Sequence, residues 1–310
     1  MGRTTPRFVE ELLLPVLTRQ IRADLLLVLV TVVWGSTFVV VKNELASITP
    51  LAFVALRFAF ASVAMVAVTG RSLARAGKRE LVAGSLIGVF LFAGYAFQTV
   101  GLRYTTASKA AFITGLCVVL APLFARFLLA VKPSPLALLG VGMATIGLGL
   151  LSLTADWTLS FGDLLVLACA VSFALHIVAI SRFAPKMDPL ALTTIQIAVV
   201  ALAGTVGTVM LEPQSGLPGA STLGVAAFMG LVATAFAFTV QNRVQAITTP
   251  THTALVLSLE PVFGALFAYL LAGERLGARQ LIGCGLILGG MVVAELRRGE
   301  QELRAAEKVF

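Results

Sequence analysis

Arg57 and Glu260 are ionisable side chains set inside long apolar stretches, about seven residues into 50–69 and about nine into 251–272. At 1.5 Å per residue these are depths of roughly 10 and 13 Å if the stretches are helical. A charge at that depth in hydrocarbon is costly and marks a functional candidate by default. Two readings stand: a structural pair, because buried ions persist when partnered, or two cavity charges that each bind an opposite charge on a ligand. Gln98 and Gln241 add amides that offer two donors and an acceptor, suited to a zwitterionic or amide ligand. Interhelical glutamines also serve as packing contacts. Asn242 raises the polar density beside Gln241, and Tyr95 lies three residues before Gln98, on nearly the same helix face. Trp34-Gly35-Ser36-Thr37 places a large aromatic next to small polar residues about 15 Å beyond Asp24, near the bilayer centre. His176 follows Phe173 in another stretch and reads as a proton sensor, a carboxylate-orienting group or a neutral core histidine. Pro122 and Pro261 remove backbone donors within apolar stretches, where helix kinks are expected.

Other chemistry has little to stand on. His176 and His252 belong to no zinc or nucleophile motif, and neither a G-x-S-x-G elbow nor a G-x-x-x-x-G-K-[ST] loop occurs. Cys117, Cys169 and Cys284 are far apart and lack metal-ligand spacing, so they read as small buried residues rather than disulfides or ligands. The expectation is a non-enzyme with no catalytic residue, no metal and no cofactor.

The elements that must position these residues are membrane helices. Hydrophobic residues make up 58% of the chain and charged residues 12%, against roughly a quarter charged in soluble domains; the mean hydropathy is +0.98. A spanning helix needs about 20 apolar residues. Ten stretches qualify: 24–42, 50–69, 81–102, 107–129, 136–153, 162–182, 189–211, 221–243, 251–272 and 278–296. Residues 98–147 reappear at 241–290, shifted by 143 without a gap, with Gln98 on Gln241, Thr105-Thr106 on Thr248-Thr249, and Gly140, Gly142 and Gly147 on Gly283, Gly285 and Gly290. An offset of 139 relates Asp24-Leu25-Leu26 to Asp163-Leu164-Leu165, Trp34 to Phe173 and Pro50-Leu51-Ala52 to Pro189-Leu190-Ala191. Each half therefore supplies five helices. With the N-terminus inside, most of the 23 basic residues fall on the cytoplasmic side, from Arg3 and Arg7 to Arg304 and Lys308, while Lys42, Arg103, Lys109, Arg275 and Arg279 fall opposite. This positive-inside bias makes both termini cytoplasmic. The pI near 9.9 then requires no nucleic acid.

The expected fold is thus an all-α integral membrane protein of ten transmembrane helices arranged as two inverted five-helix repeats. Residues 1–23 form an N-terminal cytoplasmic segment, in which Leu12, Leu13, Leu14 and neighbouring apolar residues suit a short helix lying on the membrane surface. The first repeat covers 24–153, the second 162–296, and 297–310 form a cytoplasmic tail. Asp156 and 212–219 are the most polar outward connections. Gly285 and Gly289 form a small-residue ridge for packing within the fold or between protomers.

Trp34-Gly35-Ser36-Thr37-Phe38, Arg57-Phe58, Ala107-Ser108-Lys109-Ala110-Ala111-Phe112 and Leu259-Glu260-Pro261-Val262-Phe263, followed by Gly273-Glu274-Arg275-Leu276, occur in an order that resembles the EamA-type ten-helix exporters of the drug/metabolite transporter superfamily. The first half has Val131-Lys132-Pro133-Ser134 in place of the Gly-Glu-Arg-Leu run. The resemblance covers residues 24–296. It implies a central cavity near a pseudo-twofold axis, alternating access, and export of amino acids or other small amphipathic metabolites. Trp34, Tyr95, Phe97, Phe173, Phe236 and Phe238 supply aromatic faces suited to a bulky apolar ligand, and within the family the pattern looks most like exporters of aromatic and other neutral amino acids.

The expectation is therefore a bacterial inner-membrane exporter. Its small-molecule substrate would contact Trp34, Thr37, Tyr95, Gln98, His176, Gln241 and Asn242, with Arg57 and Glu260 setting the cavity charge. The alternatives are an exporter of cationic drugs or polyamines that uses Glu260, and a membrane structural subunit without flux of its own.

Overall fold

The computed structural model describes residues 7–152, 160–213, 216, 218–272 and 277–307, with side chains placed from 21 to 294 apart from 107, 108, 151, 152, 268, 271 and 272 within those ranges. Asp156, Gln214, Ser215, Leu217 and the Gly273-Glu274-Arg275-Leu276 run lie outside the described residues. The described chain is all-helical: α1 (Arg7–Gly35), α2 (Thr37–Glu44), α3 (Pro50–Ala74), α4 (Lys78–Gly101), α5 (Ala107–Gly115), α6 (Cys117–Leu129), α7 (Pro135–Ser152), α8 (Phe161–Phe183), α9 (Pro189–Leu211), α10 (Ala220–Gly230), α11 (Ala237–Gln245), α12 (Pro250–Leu257), α13 (Glu260–Ala272) and α14 (Ala278–Glu307). A π turn, Leu231–Phe236, joins α10 to α11, and a short 3-10 turn follows α8.

Local sequence explains where these helices start. Thr49, Asp188 and Thr249 precede prolines that open α3, α9 and α12, a position where the missing N–H costs nothing. Thr106 and Thr249, equivalent across the shift of 143, each accept a backbone N–H three residues on. Ser160 and Asp163 form a capping box at α8. Glu212, expected in an outward loop, accepts from the Leu51 and Ala52 N–H groups and caps α3. The backbone of α1 runs unbroken from Arg7, so the surface helix expected at the N-terminus is continuous with the first apolar helix.

Among the described residues seven helical segments are long and apolar enough to cross a membrane: Ile21–Glu44, Pro50–Ala74, Lys78–Gly101, Lys109–Leu129, Phe161–Lys186, Pro189–Leu211 and Ala220–Gln245. Pro135–Leu150 and Ala278–Ala294 are shorter apolar helices, and the ninth expected stretch is divided between α12 and α13. The outer surface is apolar, with Val63, Val68, Phe127 and Leu211 more than 70% exposed, as a lipid-facing wall requires.

The packing repeats when the two halves are exchanged. Helices α3 with α9 and α7 with α14 pair across the halves; α4 packs on α8 as α11 packs on α1; α6 meets α8 as α13 meets α1. Glycines allow the closest approaches. A Cβ on Gly140 would lie 2.4 Å from the Gly290 carbonyl, and one on Gly147 would lie 2.6 Å from that of Gly283. The shift of 143 converts one of these contacts into the other. Gly289 faces Met143, whereas Gly285 faces open space.

Among the described residues three apolar spans are interrupted along their length: at Ser36, at Leu116, and at Ser258–Leu259. The second and third are equivalent positions. Pro261 stands at the start of α13, beside its break, but Pro122 lies inside α6, six residues beyond the break at Leu116. Tight i→i−3 bonds, Leu116 N–H to Ile113 O and Leu259 N–H to Val256 O, mark both breaks. Proline is therefore not what places the break in the first half.

Candidate functional site

The interruptions border one central cavity, whose empty space, open solvent at its mouth included, is about 970 Å³. Trp34, Thr37, Arg57, Tyr95, Gln98, His176, Gln241, Glu260 and Pro261 all line it, with Phe38, Phe53, Phe173 and Phe238 adding aromatic wall. Asn242 does not line it: its amide donates to the Phe238 carbonyl of its own helix. Phe97 and Phe236 are also absent from the lining, being 37% and 43% exposed on the outer surface.

Arg57 is buried at the cavity wall. Its Nε donates to Thr234 Oγ1 at 2.7 Å, and its Nη2 donates to the Ala233 carbonyl at 3.0 Å and to Tyr95 Oη at 3.2 Å. Its guanidinium carbon stands 4.9 Å from the Tyr95 ring centroid, within cation–π range. The π turn is central to this arrangement. A π turn breaks the regular i→i−4 ladder, and at that break the Ala233 carbonyl accepts from both Arg57 and Trp34 Nε1, the latter at 2.8 Å. The Thr234 hydroxyl donates to Met229 O while accepting from Arg57. Among the described residues Lys109–Asp163 is an ion pair within 4.0 Å, and the Asp24 carboxylate meets the His252 ring at 2.7 Å. Arg57 and Glu260 both face the cavity without forming such a pair.

The amides are held by a relay that can be oriented from one end. Gln245 Nε2 donates to the Ile177 carbonyl and to Ser181 Oγ, each at 3.0 Å. A carbonyl can only accept, so Gln245 turns its Oε1 toward Gln241, whose Nε2 donates to it at 2.9 Å. Gln241 Oε1 is left buried without a partner. Gln98 Nε2 donates to Thr114 Oγ1 at 3.2 Å, and His176 Nε2 donates to Gln196 Oε1 at 2.7 Å.

Thr234, Gln196, Gln245, Thr114 and the Ala233 carbonyl were not evident as site residues from sequence. Two signals were present: Gln196 occupies the place of Arg57 at the offset of 139, and Gln245 follows Gln241 by one helical turn.

An apolar exterior, helix breaks within apolar spans and an enclosed amphipathic cavity define a multi-pass membrane transporter that carries a small molecule through the bilayer. The comparisons agree. The EamA-like transporter family matches residues 21–153 and again residues 160–295. An uncharacterized transporter of Archaeoglobus fulgidus is 33% identical over 284 residues, covering 90% of this chain and 87% of the relative. The uncharacterized transporter YyaM of Bacillus subtilis is 26% identical (84% of this chain, 89% of the relative), as is the uncharacterized inner membrane transporter YedA of Escherichia coli K12 (86% and 88%). A solved crystal structure aligns with a TM-score of 0.76 over 90% of this chain and 99% of the other at 22% identity, which speaks to the fold. The chain belongs to the EamA-like transporter family.

Proposed function

We propose that this protein exports neutral amino acids with a preference for aromatic side chains, by alternating access through the central cavity. One observation carries the reading: an aromatic-walled cavity is lined by both Arg57 and Glu260, which stand apart without an ion pair within 4.0 Å among the described residues. A zwitterion presents the complement, a carboxylate for Arg57 and an ammonium for Glu260, and the unpartnered Gln241 Oε1 accepts a further donor. Trp34, Tyr95, Phe173 and Phe238 then receive the side chain.

The architecture in this reading is ten transmembrane helices in two inverted five-helix repeats, 24–153 and 162–296, in a bacterial inner membrane with both termini cytoplasmic. The exchange of packing partners between halves supports it, as does the double match of the family. The N-terminal segment 1–23 and the tail 297–310 remain on the cytoplasmic side.

The test is uptake into proteoliposomes of a labelled neutral amino-acid panel. Saturable uptake that favours aromatic members supports the reading, and Gln98→Ala and Gln241→Ala are expected to weaken it with expression intact. Unchanged uptake in both variants would sink the cavity assignment. The unpaired Glu260 also favours a second reading, export of cationic drugs or polyamines. Transport of cations but of no zwitterion, lost in Glu260→Gln, would select it.

A further inference from the structure

Two acid–base contacts are one interaction written twice. Lys109 Nζ lies 3.7 Å from Asp163 Oδ2, joining the start of α5 to the start of α8. His252 Nε2 lies 2.7 Å from Asp24 Oδ1, joining the start of α12 to α1. The shift of 143 carries Lys109 onto His252, and the shift of 139 carries Asp24 onto Asp163. Both partners of one pair thus map onto both partners of the other. The surrounding residues follow: Thr106 caps α5 as Thr249 caps α12.

They stand at opposite ends of the cavity. Lys42, on α2, donates to the Thr105 carbonyl at 2.8 Å, and the Thr105 hydroxyl donates to Asp163, so the Lys109–Asp163 pair sits beside the C-terminal end of the first apolar span. Asp24 is at that span's other end, eighteen residues earlier, roughly 27 Å along a helix. Trp34, and the breaks at Ser36, Leu116 and Ser258–Leu259, lie between the two pairs. Each pair therefore crosses between an interrupted helix and its neighbour from the other half, outside the level where that helix can bend.

We infer that Lys109–Asp163 and Asp24–His252 are the two alternating latches of the transport path, one for each membrane face. Opening toward one face requires the pair at that face to part, while the other holds α5 on α8 or α12 on α1. Asp24 accepts from the imidazole Nε2–H whether or not the ring is charged, so the closure at that end has hydrogen-bond character where the other is an ammonium–carboxylate attraction. The assignment rests on the alternating-access reading above.

Cys117 lines the cavity and serves as a native reporter. In full-length protein carrying Cys169→Ala and Cys284→Ala, the rate at which a membrane-impermeant maleimide reaches Cys117 is measured from each face in oriented vesicles. Lys109→Met is expected to raise labelling from the Lys109 face and His252→Leu from the Asp24 face, each by up to about fivefold, the limit for a partly exposed pair, with the opposite face slowed. Should either variant fail to fold, Thr105→Val and Asp24→Leu weaken the same two ends and are expected to give the same shifts. Variants that fold, transport and label at parental rates from both faces would overturn the latches while leaving alternating access in place. A parent protein in which Cys117 is labelled freely from both faces, with no response to substrate, would overturn the latches and the transport reading together.

Discussion

The two sides of the cavity are framed alike and charged differently. Trp34 meets Phe238 at a centroid distance of 5.2 Å, and its counterpart Phe173 meets Tyr95, the counterpart of Phe238, at 5.5 Å. The aromatic frame is thus duplicated in both sequence and contact. The polar groups behind it are not. Where the first half puts Arg57 against Thr234, Ala233 and Tyr95, the second puts Gln196 against His176 and leaves Gln196 Nε2 without a partner. Helix α4 runs as a regular helix where its counterpart carries the π turn. A duplicated scaffold therefore carries its guanidinium on one side only.

The sharpest way to break that difference is Arg57→Gln, which makes the two sides chemically alike. It removes three hydrogen bonds from a buried cation, so a loss of about 3 kcal/mol or more in unfolding stability is expected, with transport abolished; thermal unfolding in detergent and uptake assays check each. Next comes Glu260→Gln, which keeps size but removes the charge proposed above to answer an ammonium. About a tenfold rise in the half-saturation concentration for zwitterions is expected, corresponding to roughly 1.4 kcal/mol. Thr234→Val deprives Arg57 Nε of its acceptor in the π turn. A stability loss of about 1–2 kcal/mol is expected, with uptake reduced but measurable. Tyr95→Phe makes Tyr95 identical to its counterpart Phe238, retains the ring under Arg57 and removes one long hydrogen bond. Its cost should be about 0.5–1 kcal/mol, and a larger loss of transport than of stability would mean that the hydroxyl itself meets the substrate.

Much of the scaffold was legible because period and polarity report burial. The expected stretches fall on helices, and most of the singled-out polar residues, Arg57, Gln98, His176, Gln241 and Glu260 among them, line one cavity. The failures have physical causes. Asn242 adjoins Gln241, but a helix turns about 100° per residue, so a neighbour in sequence points elsewhere. Phe97 and Phe236 look like their cavity-facing neighbours because lipid and cavity both accept aromatic rings. Arg57 finds two of its three acceptors, the Ala233 carbonyl and the Thr234 hydroxyl, in the π turn, in the run Leu231-Val232-Ala233-Thr234-Ala235-Phe236, whose composition gives no sign of a wider turn. Pro122 drew attention as a breaker, yet neighbouring segments let a spanning helix absorb a proline, and the actual break lies at Leu116.

The reciprocal glycine contacts between α7 and α14 act as a lever. Gly140 against Gly290 and Gly147 against Gly283 are two bearing points on an antiparallel crossing, seven residues apart on each helix, or roughly 10 Å along the axis. Neither point can be padded without using the other as a fulcrum: a methyl at Gly140 pries the helices open at one end and presses them together at the other. The crossing therefore sets the alignment of the two halves over its whole length, and the distant cavity inherits the tolerance of this joint.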